Sequence, residues 1–133
     1  MQGIFKKGFQ VPSNSRELGV FGEDRAADYL RREKNLSLVC RNWRDGRDEI
    51  DLVAWDRDVL VFVEVRTRQA DALVSGYHTV GAKKKRILRR VFRAYLNSLQ
   101  RRPRHYRFDI VDVAYRDSAD FKVFHYRGIP LKI

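Results

Sequence analysis

The stretch Glu49-Ile-Asp-Leu-Val-Ala-Trp-Asp-Arg-Asp-Val-Leu-Val-Phe-Val-Glu-Val-Arg66 decides how the chain folds. Ile50 to Trp55 and Val59 to Val65 are rich in Val, Ile, Phe and Trp, which pack well on a pleated surface, and Asp56-Arg57-Asp58 interrupts them. This predicts an antiparallel hairpin. With its turn centred between Arg57 and Asp58, paired positions sum to 115, and Asp51 falls opposite Glu64. Cross-strand partners have Cβ atoms about 4.5–5.5 Å apart. Alternation places Val53, Trp55, Leu60, Phe62 and Arg66 on the face that carries the two acids. Like charges opposed on a largely apolar face destabilise a sheet unless a cation lies between them or one acid takes up a proton. Mg²⁺ is held by one or two carboxylates with water and substrate phosphate, so the pair reads as a metal site. On these residues alone a plainer reading stays open, with the acids solvated or Glu64 paired with Arg66 or Arg68.

Outward toward the N-terminus, Asp45-Gly46-Arg47-Asp48 is a turn, and Leu36, Leu38 and Cys40 alternate with polar neighbours, predicting a first strand over 36–43. Before it, Asn14 or Ser15 can cap a helix over 16–34 with Glu17 in its first turn and Asn35 at its end. Gly22, Glu23, Ala26, Ala27 and Leu30 share one face of that helix. Glu23 therefore sits among small residues on the packed side, where a charge needs a partner; Arg25 or Arg16 would serve. Gly19 and Gly22, costly within a helix, suggest the close approach of another backbone or a ligand. Residues 1–13 lack periodicity and are expected to form a loose tail ahead of a single domain spanning 14–133.

Outward toward the C-terminus, 67–82 reads as a loop, and its His78 as incidental. Leu88, Val91, Phe92, Tyr95, Leu96 and Leu99 repeat at helical spacing over about 82–101, with Lys and Arg on the remaining face. Arg107 to Tyr115 and Phe121 to Tyr126 alternate again, predicting two more strands. The order is α-β-β-β-α-β-β, an α+β domain with a mixed central sheet in which the second helix crosses back and permits parallel pairing of the third and fourth strands.

The 133 residues carry a formal charge of +11. From Lys83 to Arg107 there are eleven basic residues and no acid, while the rest of the chain balances at seventeen against seventeen. The excess reads as a patch for a polyanion, nucleic acid or an anionic membrane, against the alternative of a solvated helix face. Its occurrence together with a candidate metal site favours nucleic acid, with Lys83, Lys84, Lys85, Arg86, Arg89, Arg90 and Arg93 as its contacts. A single cysteine, Cys40, excludes an intramolecular disulfide and a multi-cysteine zinc cluster, and is expected to be packed. No apolar run approaches the ~20 residues of a membrane span and no signal-peptide core follows Lys6-Lys7, so a cytoplasmic location without membrane partners is expected.

Asp51 followed by Glu64-Val65-Arg66, with Glu23 on a preceding helix, resembles the PD-(D/E)XK nuclease superfamily, whose core is α-β-β-β-α-β. Gly22-Glu23, Ala26-Ala27-Asp28-Tyr29-Leu30, Arg41-Asn42-Trp43-Arg44, Glu49-Ile50-Asp51-Leu52, Phe62-Val63-Glu64-Val65-Arg66-Thr67-Arg68, Lys84 and Arg107-Phe108-Asp109 are more closely similar to the bacterial YraN-like family, related by fold to archaeal Holliday junction resolvases. The resemblance covers about residues 16–115. It implies a restriction-endonuclease-like fold, Asp51 and Glu64 as Mg²⁺ or Mn²⁺ ligands, Glu23 as an outer acid, residue 66 as the cation beside a scissile phosphate, and a possible homodimer. Ile50 stands where the superfamily has proline, and Arg66 where it usually has lysine. A desolvated lysine can shed its proton, whereas arginine stays charged and can only clamp, so Lys83, Lys84 or Lys85 is a candidate replacement. The function expected is binding of structured or branched DNA with metal-dependent phosphodiester hydrolysis. The competing expectations are a nucleic-acid-binding module without catalysis, or a domain whose basic helix meets an acidic protein.

Overall fold

A computed structural model describes residues 14–71 and 80–133; the expected N-terminal tail and His78 lie outside the described residues. The elements run α1 (Ser15–Glu33), β1 (Ser37–Asp45), β2 (Asp48–Asp56), β3 (Val59–Gln69), α2 (Ala82–Ser98), β4 (His105–Tyr115) and β5 (Phe121–Tyr126). The strands form one sheet in the order β1-β2-β3-β4-β5, antiparallel except for the parallel β3–β4 pair. The sheet is mixed, as expected, because α2 carries the chain back to restart β4 beside β3.

Local chemistry accounts for the boundaries. The Asn14 side chain accepts the Glu17 N–H at 2.8 Å, capping α1, and Asn35 takes the left-handed conformation (φ 58°) just past its end. Asp45 and Asp48 pair across a turn that contains Gly46 at φ +61°. The β2–β3 pairs Leu52–Val63 to Asp56–Val59 all sum to 115, the predicted register, with the turn at Arg57 and Asp58. β3 continues to Gln69, so 67–69, expected as loop, are strand paired with β4.

β3 is central and buried on both sides, and its alternation divides the core into two layers. Val61 and Val63 pack with Ala26, Ala27 and Leu30 of α1 and with Leu52, Ala54, Val111 and Val113. Leu60 and Phe62 pack with Leu88, Val91, Phe92, Tyr95 and Leu96 of α2, together with Val53, Phe108 and Ile110. Phe62 and Phe92 stack with centroids 4.3 Å apart. Cys40 and Trp43 border this layer as partly buried members, and burial pushes the Cys40 thiol up, away from the reactive thiolate. At Gly22 α1 lies close against the sheet, since a Cβ there would run into Thr67 Oγ1 on β3. Gly19 has nothing within 4 Å, so the approach inferred from the two glycines belongs to Gly22 alone.

The C-terminal segment closes the α2 side. Ile129, Leu131 and Ile133 pack against that core, Ile129 N–H bonds Phe108 O at 2.7 Å, and Arg89 Nε donates to Lys132 O at 2.9 Å. Among the described residues no helix is long and apolar enough to cross a membrane.

Candidate metal centre

The last β2–β3 pair is Leu52–Val63; beyond it β2 stays with β1 while β3 stays with β4, so the two central strands part. Asp51 sits in the fork. Its Oδ2 accepts the Val65 N–H at 2.7 Å, satisfying a donor that would otherwise face a missing strand. β1 turns at the same level: Asn42, between the Arg41–Leu52 and Trp43–Ile50 pairs, is left-handed at φ 52°. Ile50 accordingly joins the α2-side core, whereas Leu52 joins the α1 side. This modifies the expectation of one shared face for the acids: they come from both sides of the sheet and meet where it opens.

From the α1 side comes Glu23, its side chain 15% exposed. Glu23, Glu49 and Asp51 present carboxylate oxygens that all lie within 4.8 Å of one another. From the α2 side comes Glu64, 12% exposed, ion-paired with Lys84 Nζ at 3.2 Å and near enough to the Asp51 carboxyl to act on its protonation. Burial, then the nearby Glu64, and to a smaller degree Glu23, push the Asp51 carboxyl up to about 8 against the single opposing Val65 hydrogen bond. The four donors are hard oxygens with surplus negative charge, a set that suits Mg²⁺ or Mn²⁺ rather than a soft metal. A divalent ion fits these residues, and its charge would remove the reason Asp51 holds a proton.

Glu49 is absent from the expected ligand pair, although it shares a strand face with Asp51 two residues away, a signal available in the sequence. Its partner is less legible. Asn42 Nδ2 donates to Glu23 Oε1 and to Glu49 Oε1, each at 2.9 Å, tying the helix acid to the strand acid. Arg44 reaches Glu49 at 2.7 Å, and Arg41 reaches Asp24 at 2.8 Å and Glu23 at 3.7 Å. Glu23 is thus partnered from β1, in place of the expected Arg25 or Arg16.

The cations of 83–107 divide. Lys84 belongs to the acid cluster. Arg90 makes a two-pronged pair with Asp48 at 2.5 and 2.8 Å, which holds the Asp48 carboxyl below its ordinary range. Arg107 turns inward to Asp56 at 2.7 Å and to fully buried Asp109 at 3.0 Å. Burial would raise Asp109, but bonds from His125, Arg107 and the Gly128 N–H outweigh it and hold it down. Lys83, Arg86 and Arg93 remain exposed on α2, while Lys85 and Arg89 are half-buried. The patch is therefore narrower than eleven charges. Arg66 lies opposite Asp112 of β4 and acts electrostatically on it, and Glu64 pairs with Lys84.

A mixed five-stranded sheet between two helices is an α+β fold consistent with a nuclease-like core, and acids gather where its central strands part. The chain belongs to the uncharacterised protein family UPF0102, the YraN family, whose model matches residues 22–113. It is similar to a UPF0102 protein of Parafrankia sp. (strain EAN1pec), 38% identical over 114 residues, covering 86% of this chain and 96% of that protein. A UPF0102 protein of Symbiobacterium thermophilum is 41% identical over 99 residues, 74% of this chain and 83% of the relative.

Proposed function

We propose that the protein binds structured or branched DNA and hydrolyses a phosphodiester with Mg²⁺ or Mn²⁺. The observation that carries this reading is the meeting of Glu23, Glu49, Asp51 and Glu64 at the strand fork beside Lys84. A bound divalent ion supplies a Lewis acid for a phosphoryl oxygen and lowers the pKa of water. Asp51, Glu64, Glu23 and Glu49 would hold that charge; Asn42, Arg41 and Arg44 hold the acids. Lys84 is the ammonium at the site, able both to steady developing phosphate charge and, unlike arginine, to exchange a proton. Lys83, Arg86 and Arg93 line the exposed face of α2 near its start and middle, where they meet backbone phosphates.

Labelled four-way, flap and linear DNA incubated with Mn²⁺ or EDTA test the proposal. Metal-dependent products are expected, absent in Asp51→Ala and Glu64→Ala and formed about 100-fold more slowly by Lys84→Ala. Binding without any cleavage by the wild-type protein would replace the enzyme with a nucleic-acid-binding module.

A further inference from the structure

We infer that the half of the sheet beyond α2 is a docking track for an unpaired nucleic-acid strand, with Phe124 as a platform for one base. The inference deepens the proposed DNA-binding function and rests on it.

Register places three rows of side chains side by side across β3, β4 and β5. Glu64 lies beside Ile110 and Tyr126, Arg66 beside Asp112 and Phe124, and Arg68 beside Ala114 and Lys122. The first row adjoins the acid cluster. The next two lead away from it and end in a cleft of about 230 Å³ lined by Arg68, Ala114, Arg116, Phe121, Lys122 and Phe124. Asp120 also borders the cleft, and Asp112, fully buried, holds Arg68 at 3.0 Å; four cations against two acids leave the track net positive. Along β3 the distance from Glu64 to Arg68 is about 13 Å at ~3.3 Å per residue, so a strand with one phosphate at the acids passes the cleft within a few nucleotides.

Phe124 is 37% exposed, one of few large apolar side chains left in solvent among the described residues. A lone exposed phenylalanine is ordinary on a surface. Here it lines a cleft together with Arg68, Arg116 and Lys122, along the strands that lead from the proposed phosphodiester site, and its ring matches the π-face of a base. Bases within a duplex stack on one another, so only an unpaired nucleotide can lie on such a ring.

The test is equilibrium binding in EDTA, which excludes cleavage, using a blunt DNA duplex and the same duplex with a single-stranded extension. The wild-type protein is expected to prefer the extended form. Phe124→Ala is expected to weaken that form about 5- to 100-fold, the range for removing a single base–aromatic stack, while leaving blunt duplex within about twofold. Phe124→Trp should restore the preference, and matched thermal melts show that the fold is intact. Equal affinity of the wild type for the two forms, or an equal loss on both in Phe124→Ala, overturns the inference. Failure of the nuclease reading shows separately, as an absence of Mn²⁺-dependent products with this binding pattern unchanged.

Discussion

Asp51 is a buried carboxyl crowded by Glu64 and Glu23, and this makes its proton a stability switch. Its folded pKa of about 8 lies far above the ordinary 3.8 of an aspartate. The protonated form therefore stabilises the fold fully below about 4, and that contribution is lost as pH rises through about 8. Metal-free protein is expected to melt at progressively lower temperature from pH 6 to pH 9, measured against Asp51→Asn, which mimics the neutral acid and should lack this component. Mn²⁺ should raise the melting temperature more at pH 8.5 than at pH 6, because it competes with the proton. A parallel decline in Asp51→Asn would assign the trend to other groups. Asn42 is the second residue-scale case. Asn42→Gly keeps the left-handed backbone and removes the amide that joins Glu23 to Glu49, so Mn²⁺ affinity, read by titration calorimetry, should fall about 10- to 100-fold. At this scale Asp51 and Glu64 were legible because one turn position set their register. Glu49 carried a signal in its two-residue spacing from Asp51, but Asn42 was not legible, because its link to Glu23 and Glu49 depends on a left-handed residue in β1 that no periodicity announces.

At the scale of elements, α1 must approach β3 closely enough to deliver Glu23, and Gly22 is what permits it. Gly22→Ala puts a methyl into Thr67 and should cost about 1–3 kcal/mol of unfolding free energy, as overpacking does, with weaker Mn²⁺ binding as Glu23 shifts. Gly19→Ala, facing open space in the same helix, should instead stabilise by about 0.5–1 kcal/mol. Urea denaturation of the pair separates a steric requirement from helix propensity. The helices and strands themselves were readable from spacing: the stripe of α2 and the hairpin both fall where expected. The extension of β3 to Gln69 was hidden, since Thr67, Arg68 and Gln69 look like loop residues and are strand only because β4 runs beside them.

For the molecule as a whole, the excess positive charge is partly structural and partly available. Arg107 holds Asp109 inside the fold, and Arg107→Ala should cost about 3–5 kcal/mol in urea unfolding by leaving a buried carboxylate short of its countercharge. Arg86→Ala with Arg93→Ala should leave stability nearly unchanged, and lower the slope of log affinity for DNA against log salt by about 1–2, roughly one unit for each phosphate no longer neutralised. If the double variant keeps the wild-type slope, these arginines do not touch phosphate. Sequence alone determined the order of elements, the hairpin register, the family and the helix carrying most of the excess charge, because each is written in local spacing. Only the tertiary structure decided that the sheet opens at Asp51, that Lys84 arrives beside Glu64, and that Arg90 and Arg107 are committed to internal acids. Those outcomes depend on which distant side chains share a low-dielectric space, where the pairing of charge, not periodicity, selects the arrangement.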